Sequence, residues 1–172
     1  MIHVYTGEGK GKTTAAFGLA MRASGQKLKV VIYQFLKGKP LSCGEQISTK
    51  ELKGIELVTF NETHPLFCHS KVEPADLKEN LKKDFDTAKK AILSEKYDMV
   101  VLDEIINVVD QGFISKKDFA EVLKNVPPKV ELVLTGRGNI SEIEEIADYV
   151  TIMVEKKHPF TKNKPARKGI EY

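Results

Sequence analysis

The amino-acid sequence predicts an α/β protein with a mainly parallel sheet in a three-layer arrangement. Apolar, strand-like segments alternate with segments of helical spacing, and glycine-rich or acidic turns follow several of the apolar segments. Such alternation is typical of βαβ units with right-handed crossovers. The central segment "LKVVIYQFL" is almost continuously apolar, as strands of a parallel sheet are. At 172 residues, the chain has room for one domain, and we expect residues 1–172 to form it.

The first half of the chain contains three predicted strands and two predicted helices. The strands cover residues 2–5, 28–36 and 55–60. Residues 12–24 have apolar side chains at helical spacing before Gly25, which is a natural stop, and residues 46–52 form a second, short helix. Residues 61–74 have no clear period. Long loops of this kind are uncommon unless they are functional, so we expect a functional loop here.

The second half continues the alternation. Pro74 suits the first turn of a helix over residues 75–95. The segment "YDMVVLDEI" predicts a strand that ends in two acids, and helical sequence follows to about residue 125. Residues 130–134 predict a strand, residues 141–147 a short helix, and residues 149–154 the last strand. Turns of interest leave the carboxyl ends of three strands, which is where open parallel sheets bind ligands.

The overall composition excludes several classes of protein. A net charge of +3 is too small to predict a nucleic-acid partner, and much of the basic excess lies in the tail, residues 155–172. No apolar run reaches the roughly 18 residues needed to cross a membrane. Lys10 and Lys12 interrupt the N-terminus, so we expect no signal peptide. Cys43 and Cys68 form no C-x-x-C pair, and the prediction is a cytoplasmic protein.

Residues 7–14 read "GEGKGKTT" and predict a phosphate-binding loop of the Walker A type. Three glycines allow the backbone N–H groups to turn inward as an anion nest, and the following helix adds the positive end of its dipole. Lys12 supplies a cation to the phosphates and Thr13 a hydroxyl for Mg²⁺, although Thr6 stands where the common pattern has its first glycine. The candidate nucleotide-binding residues of the loop are Gly7, Glu8, Gly9, Lys10, Gly11, Lys12, Thr13 and Thr14.

Two further turns add candidate residues. Asp103 and Glu104 follow a predicted strand, and either acid can hold the metal directly or through water. Arg137, in "LTGRGN", either reaches a phosphate or is a turn residue with a solvated charge. Together with the loop, these residues predict a site for a nucleotide with Mg²⁺.

The long loop is a poor candidate for a metal site. His64, Cys68 and His69 offer at most three close ligands without the spacing of a structural zinc site. Leu66 and Phe67 are apolar residues in a polar loop, which favours a lid over a second substrate. Neither cysteine has an evident base or activating neighbour, so we do not expect a cysteine nucleophile.

Taken together, these motifs resemble one family over essentially the whole chain. The segments "VYTGEGKGKTTAAFGLAMRASG", "VVLDE", "LTGRGN", "ADYV" and "KHPF…ARKGIEY" are similar, in order and spacing, to the ATP:corrinoid adenosyltransferases of the phosphate-loop type. The resemblance implies a P-loop NTPase (RecA-like) fold. It also implies transfer of the 5′-deoxyadenosyl group of ATP to reduced cob(I)alamin or a related corrinoid, with release of triphosphate. The family shares the form T-G-x-G-K-G-K-T-T, which accounts for Thr6.

The resemblance also implies roles for particular residues. In the family the loop grips ATP in a reversed sense, which exposes the ribose 5′-carbon to the reduced cobalt. Because cobalt(I) is itself a strong nucleophile, the protein needs to position this carbon and to stabilise the leaving triphosphate. Lys12, Thr13 and Mg²⁺ suit this task, with Lys10 as a helper. By matching position, Glu104 is the acidic metal ligand and Arg22 reaches the nucleotide. Family members suggest a homodimer and a reductant system of the flavin type.

Two features depart from the family pattern. Better-known members carry an N-terminal extension over the active site, whereas the first predicted strand here begins at Ile2. They also carry an aromatic pair with a tryptophan, which helps to displace the lower ligand of the corrinoid. This chain has no tryptophan and offers "FNETHPLF" instead. Phe60 and Phe67 are the hypothesised substitutes.

Two other function classes stay open on the sequence. A P-loop hydrolase or kinase needs a residue that orients water or a hydroxyl, and the sequence offers no obvious candidate. A nucleotide-dependent module that binds a corrinoid or a protein partner without converting it is supported by the missing aromatic pair. A nucleic-acid motor is disfavoured by the charge and the length of the chain.

Overall fold

The computed structural model describes residues 1–38, 43–62 and 74–171, and it contains a six-stranded sheet. The strand order is β3-β2-β4-β5-β1-β6, and every neighbouring pair is parallel. The predicted α/β fold with a mainly parallel sheet is therefore confirmed. The strands are β1 Ile2–Thr6, β2 Val30–Gln34, β3 Ile55–Thr59, β4 Met99–Asp103, β5 Glu131–Thr135 and β6 Tyr149–Ile152.

The described part of the chain also contains six α-helices and two short 3₁₀ helices. The α-helices are α1 Lys12–Gly25, α2 Gly44–Ser48, α3 Pro74–Leu93, α4 Ile105–Asp110, α5 Lys116–Lys124 and α6 Ser141–Glu144. The 3₁₀ helices are Thr49–Glu51 and Pro159–Lys162.

Helix α1 covers one face of the sheet. Its buried apolar side chains, Ala16, Ala20 and Ala23, are small, and they pack on a cluster that includes Ile32 and Val101. Small side chains allow the helix backbone to lie close to the sheet. This close approach fixes the start of α1 directly beyond the carboxyl ends of the strands.

Helices α3, α4 and α5 cover the opposite face. Leu81 and Phe85 of α3 are buried in the larger core cluster, and Phe85 lies 5.7 Å from Phe119 of α5 between ring centroids. The strands contribute the alternate set of residues, such as Val100 and Leu102, because successive side chains of a strand point to opposite faces. The fold therefore has the three layers that the sequence predicts.

Some element boundaries differ from the predictions for local reasons. Strand β2 is shorter than predicted: the Leu28 N–H donates to the Ala23 carbonyl at the end of α1, and Leu36 adopts a left-handed φ of 56° just after the strand. The helical sequence after β4 is divided into α4 and α5. Gly112 turns the chain with a φ of 74°, and the Ser115 hydroxyl accepts a hydrogen bond from the Asp118 N–H and so caps α5.

The prediction of one domain over residues 1–172 stays a prediction. Beyond β6, the described residues form no further strand, and they return to the cleft described below. Within the described part of the chain, no helix combines the length and the apolar character that a membrane span requires. The predicted loop of residues 61–74 lies mostly outside the described residues.

Two leucines of α3 provide a test of the packing. Leu81 is fully buried, whereas Leu93 is 42% exposed. Leu81→Ala should lower the free energy of unfolding by about 2–5 kcal/mol, because it removes core contacts and leaves a cavity. Leu93→Ala, the matched control, should change it by about 0.5 kcal/mol or less. Urea unfolding followed by circular dichroism measures both, and equal effects would contradict the described packing.

Candidate nucleotide-binding site

Two different constraints require glycine in the loop between β1 and α1. Gly7 and Gly11 adopt left-handed φ values of 95° and 118°, which favour glycine. Gly7 and Gly9 also lie against the end of β6, where an added Cβ would come within 2.5 Å and 2.7 Å of the Met153 carbonyl oxygen. The Gly9 N–H donates to that same oxygen at 2.7 Å. Strand β6 therefore supports the loop from one side.

Lys12, the first residue of α1, extends its side chain back into this loop. Its side chain is buried, and its ammonium donates to the carbonyl oxygens of Gly7 at 2.6 Å and Gly9 at 2.9 Å. Burial and the nearby Arg137 lower its pKa, against the opposing effect of nearby acids. Phosphate oxygens are stronger acceptors than carbonyl oxygens for a cationic donor. The loop thus holds a cation ready to exchange these backbone partners for a phosphate group.

Asp103, the last residue of β4, organises the neighbouring polar groups. Its carboxylate is fully buried, and Oδ1 accepts hydrogen bonds from the hydroxyls of Thr13 and Thr135, each at 2.8 Å. Oδ2 accepts from the Gln34 amide at 3.3 Å and pairs with the Lys37 ammonium at 2.9 Å. This one carboxylate therefore connects α1 with β2, β4 and β5.

Lys37 is a site residue that the sequence analysis missed. Its side chain is only 20% exposed, and burial by itself lowers its pKa. The charge and hydrogen bond of Asp103, with Glu45 and Glu104, outweigh burial and raise this pKa to about 12. The available signal was its position, because Lys37 follows the carboxyl end of a central strand where ligands bind.

Glu104 has a different role from its neighbour Asp103. It caps α4 with a left-handed φ of 65°, and its backbone N–H donates to the Thr135 hydroxyl at 2.9 Å. Burial, followed by repulsion from Asp103, raises the pKa of Glu104, although nearby cations oppose the shift. The unusual backbone conformation separates the two adjacent acids, so that Asp103 bonds Thr13 while Glu104 lines the cleft.

The donor set near Thr13 suits a magnesium ion. The hydroxyl of Thr13 and the carboxylates of Asp103 and Glu104 are hard oxygen ligands, which Mg²⁺ prefers. Among the described residues, no group of three or more His, Cys, Asp or Glu side chains is placed to hold a metal by itself. Mg²⁺ bound with a nucleotide takes few protein ligands and keeps phosphate oxygens and water, so these few oxygen donors suffice for it.

Arg137 reaches the loop from the turn after β5. A Cβ at Gly136 would lie 2.5 Å from the Asn107 amide oxygen, and that oxygen accepts the Arg137 N–H at 2.8 Å. The guanidinium lies 3.3 Å from the Glu8 carboxylate and donates to the Glu8 carbonyl at 3.1 Å. The turn thus fixes a half-exposed cation at the rim of the loop.

These groups line one cleft of about 600 Å³, a volume typical of small-molecule sites. The tail contributes Glu171, which Arg167 holds through hydrogen bonds at 2.8–3.2 Å. The hydrogen bonds from Arg167, aided by the nearby charge of Lys10, lower the pKa of Glu171 to about 2. The predicted residues that line the cleft are Gly9, Lys10, Gly11, Lys12, Thr13, Thr14, Glu104 and Arg137.

Other predicted residues lie elsewhere. Arg22 is exposed in the last turn of α1, ten residues and about 15 Å along the helix axis from Lys12, and it does not line the cleft. Phe60 packs on the rings of Tyr33 and Phe35, with centroids 5.7 Å and 4.9 Å away. The predicted roles of Arg22 and Phe60 stay predictions. His64, Leu66, Phe67, Cys68 and His69 lie outside the described residues.

Two glycines of the N-terminal region test the contact between the loop and β6. Gly9→Ala should weaken binding of a non-hydrolysable ATP analogue and destabilise the protein by about 1–3 kcal/mol, because the new methyl meets the Met153 carbonyl. Gly18→Ala, within α1, meets nothing within 4 Å. This control should stabilise the helix by up to about 1 kcal/mol without affecting the nucleotide. Calorimetric titration and thermal unfolding measure the effects, and unchanged binding in Gly9→Ala would contradict the described contact.

Known proteins share the sequence and the fold. The chain is 34% identical over 172 residues to a corrinoid adenosyltransferase of Escherichia coli (strain K12), covering 100% of this chain and 85% of the relative. It is 33% identical over 181 residues to the corrinoid adenosyltransferase CobA of Salmonella typhimurium, with the same two coverages. A corrinoid adenosyltransferase of Sinorhizobium sp is 31% identical over 174 residues, covering 100% of this chain and 80% of the relative.

Among solved structures, a KaiC-like protein of Pyrococcus horikoshii OT3 superposes with a TM-score of 0.51. The match covers 89% of this chain and 70% of that one at 16% identity, and it supports the fold alone. A sequence model described as ATP:corrinoid adenosyltransferase BtuR/CobO/CobP matches residues 1–172. The chain therefore belongs to the ATP:corrinoid adenosyltransferase family.

Proposed function

We propose that this protein transfers the 5′-deoxyadenosyl group of ATP to reduced cob(I)alamin or a related corrinoid and releases triphosphate. Membership of the adenosyltransferase family supports this function. The observation that carries the proposal is the loop of residues 7–14, where the Lys12 ammonium is held by backbone carbonyls in a cleft that further cations line. Such a cleft suits a polyphosphate group.

The residues of the loop bind the triphosphate end of ATP. Apart from that of Gly9, which donates to the Met153 carbonyl, the backbone N–H groups of residues 7–14 donate to the phosphate oxygens, and the dipole of α1 favours their negative charge. The Lys12 ammonium turns from its carbonyl partners to the same oxygens. Lys10 and Arg137 add positive charge at the rim of the cleft. The family resemblance implies a further nucleotide contact from Arg22, which lies outside the cleft in this structure. In this role the loop binds the leaving group of the reaction.

Thr13 and Glu104 would hold the Mg²⁺ ion. When bound, this ion supplies positive charge that neutralises the triphosphate oxygens. Asp103 fixes the Thr13 hydroxyl through the hydrogen bond at 2.8 Å and therefore positions it. Glu104 lines the cleft that the nucleotide would occupy.

The chemical step is an alkylation at carbon. The electron pair of cobalt(I) in the corrinoid forms a bond to C5′ of the ribose, and the C5′–O bond breaks. Its electron pair leaves with the triphosphate, while the cobalt becomes cobalt(III). This bond exchange involves no proton transfer. The protein therefore contributes an in-line position for C5′ and stabilisation of charge on the leaving group.

The second substrate and the partners follow from this chemistry. A cobalt(I) corrinoid survives only under reducing conditions, so we place the protein in the cytoplasm, supplied by a reductant system of the flavin type. The family resemblance supports a homodimer. Phe60, whose ring extends an aromatic cluster at the end of β3, is the proposed corrinoid contact among the described residues. Phe67, the second proposed contact, lies outside them.

The reaction is tested anaerobically with chemically reduced cob(I)alamin and MgATP. We expect a light-sensitive cobalt–carbon product, visible in the corrinoid absorbance, with one triphosphate released per product. Lys12→Ala should lower the rate by about 10²–10³-fold, since it removes charge stabilisation of the leaving group. Lys50→Ala, at an exposed lysine on the 3₁₀ helix after α2, is the control and should leave the rate unchanged.

Two other outcomes would contradict the proposal. Release of ADP and phosphate, rather than triphosphate, would identify a hydrolase or a kinase. Corrinoid bound tightly without a cobalt–carbon product would identify a binding module.

The metal role of Glu104 is tested separately. Glu104→Gln should raise the Mg²⁺ concentration needed for half-maximal rate by about 10–100-fold, because an amide is a weaker ligand than a carboxylate. Glu142→Gln, at an exposed position of α6, should leave that concentration unchanged. A titration of initial rate with Mg²⁺ measures both. Identical curves for wild type and Glu104→Gln would assign the metal to Asp103 instead.

A further inference from the structure

The Lys37 ammonium is surrounded by oxygen atoms in the way that a bound cation would be. It lies 2.9 Å from Asp103 Oδ2, 3.3 Å from Thr13 Oγ1 and 3.5 Å from Glu45 Oε1. Two of these oxygens belong to carboxylates, and the third belongs to the hydroxyl that the proposed function assigns to Mg²⁺. The lysine and the metal therefore seek the same Thr13 oxygen.

The hydroxyl of Thr13 makes this competition direct. Its hydrogen is directed to Asp103 Oδ1 at 2.8 Å, so its oxygen lone pairs are the part left for a cation. The Lys37 ammonium donates to that oxygen at 3.3 Å. A magnesium ion bound to the Thr13 oxygen would stand within a few ångströms of the ammonium, and like charges at such a separation repel strongly in a partly buried site.

We propose that Lys37 is an internal competitor of Mg²⁺: its ammonium takes the oxygen atoms of Thr13 and Asp103 without metal and gives them up when Mg²⁺ enters with the nucleotide. This inference rests on the metal–nucleotide part of the proposed function and is independent of the corrinoid step. Lys37 thereby couples the binding of the metal to the binding of the nucleotide.

The electrostatics of the site explain why such a cation is needed. Asp103 is fully buried, and an uncompensated buried carboxylate is strongly destabilising. Glu45 and Glu104 add further negative charge around Lys37. An internal ammonium neutralises this cluster whenever the metal is not bound, so the Thr13 hydroxyl stays fixed for the next nucleotide.

The backbone around Lys37 allows the side chain to move while the chain stays in place. Gly38 donates its N–H to the Glu62 carbonyl at 2.8 Å, and Phe35 donates its N–H to the Asp103 carbonyl at 3.0 Å. Both bonds hold the segment beside β3 and β4. The four-carbon stem of a lysine permits its head group to swing, and Lys37 lines the same cleft as Lys12. The displaced ammonium therefore has triphosphate oxygens as new partners.

The competition is tested with Mn²⁺ as the probe, in the absence of ATP and corrinoid. Free Mn²⁺ is measured by electron paramagnetic resonance during titration of the full chain. Lys37→Met nearly keeps the length of the side chain without its charge. We expect it to bind one Mn²⁺ at least about tenfold more tightly than wild type, because removing a neighbouring unit charge relieves repulsion. Lys37→Arg, which retains the charge, and Lys53→Met, at an exposed lysine before β3, should bind as wild type does. Equal Mn²⁺ binding in all four proteins would overturn the inference.

Thermal unfolding distinguishes the proposed competition from a simple folding defect of Lys37→Met. Without metal, Lys37→Met should unfold at a lower temperature than wild type, because Asp103 loses its counter-ion, and Mn²⁺ should restore most of the difference. Mn²⁺ alone should raise the unfolding temperature of wild type only slightly. A Lys37→Met protein that is unfolded without metal and folds when Mn²⁺ is added also supports the inference. One that stays unfolded in both conditions contradicts it, since the metal would then not replace the ammonium.

The outcomes separate this inference from the proposed function. If the cobalt–carbon product forms but wild type and Lys37→Met bind Mn²⁺ equally, the proposed function stands and the proposed competition is wrong. If Mn²⁺ binding differs between wild type and Lys37→Met but no product forms, the proposed competition stands and the proposed corrinoid step is wrong.

Discussion

The buried carboxylate of Asp103 is the interaction on which the rest of the site depends. A charged group with no exposed surface is tolerated inside a protein only when it is fully paired and hydrogen-bonded. Thr13, Thr135, Gln34 and Lys37 provide these partners, and they come from different segments of the chain. Satisfying one carboxylate therefore holds the phosphate loop, three strand ends and the segment after β2 in one arrangement.

The parallel register of the sheet makes this arrangement possible. Gln34 stands opposite both Asp103 and Thr59 in neighbouring strands, so the polar residues at three carboxyl ends form one row. Further along the sheet, β6 places the Met153 carbonyl against the glycines of the loop. The apolar interior of the sheet fixes the register, and the register then places the polar chemistry at one edge.

The charged side chains at this edge of the sheet are arranged in a way that suits a polyphosphate leaving group. Asp103 is engaged by hydroxyls and by Lys37, whereas Glu104, turned by its left-handed backbone, lines the cleft. Lys12 is held by backbone carbonyls that a phosphate would replace. The cations are thus retained by partners that they can exchange, and exchangeable partners are what a site needs when it must bind and release a highly charged ligand.

The sequence by itself determined the α/β class, most of the helices and strands, and the phosphate loop. These features depend on local patterns: apolar periodicity, and glycines beside a lysine and a threonine at the start of a helix. It did not reveal Lys37, Gln34 or Thr135 as partners of Asp103, or the support that β6 gives to the loop. Such contacts join residues far apart in the chain, and they exist only once the strand order and register are set. Tertiary structure therefore decided which of the polar residues meet, because a buried charge selects its partners by proximity in space.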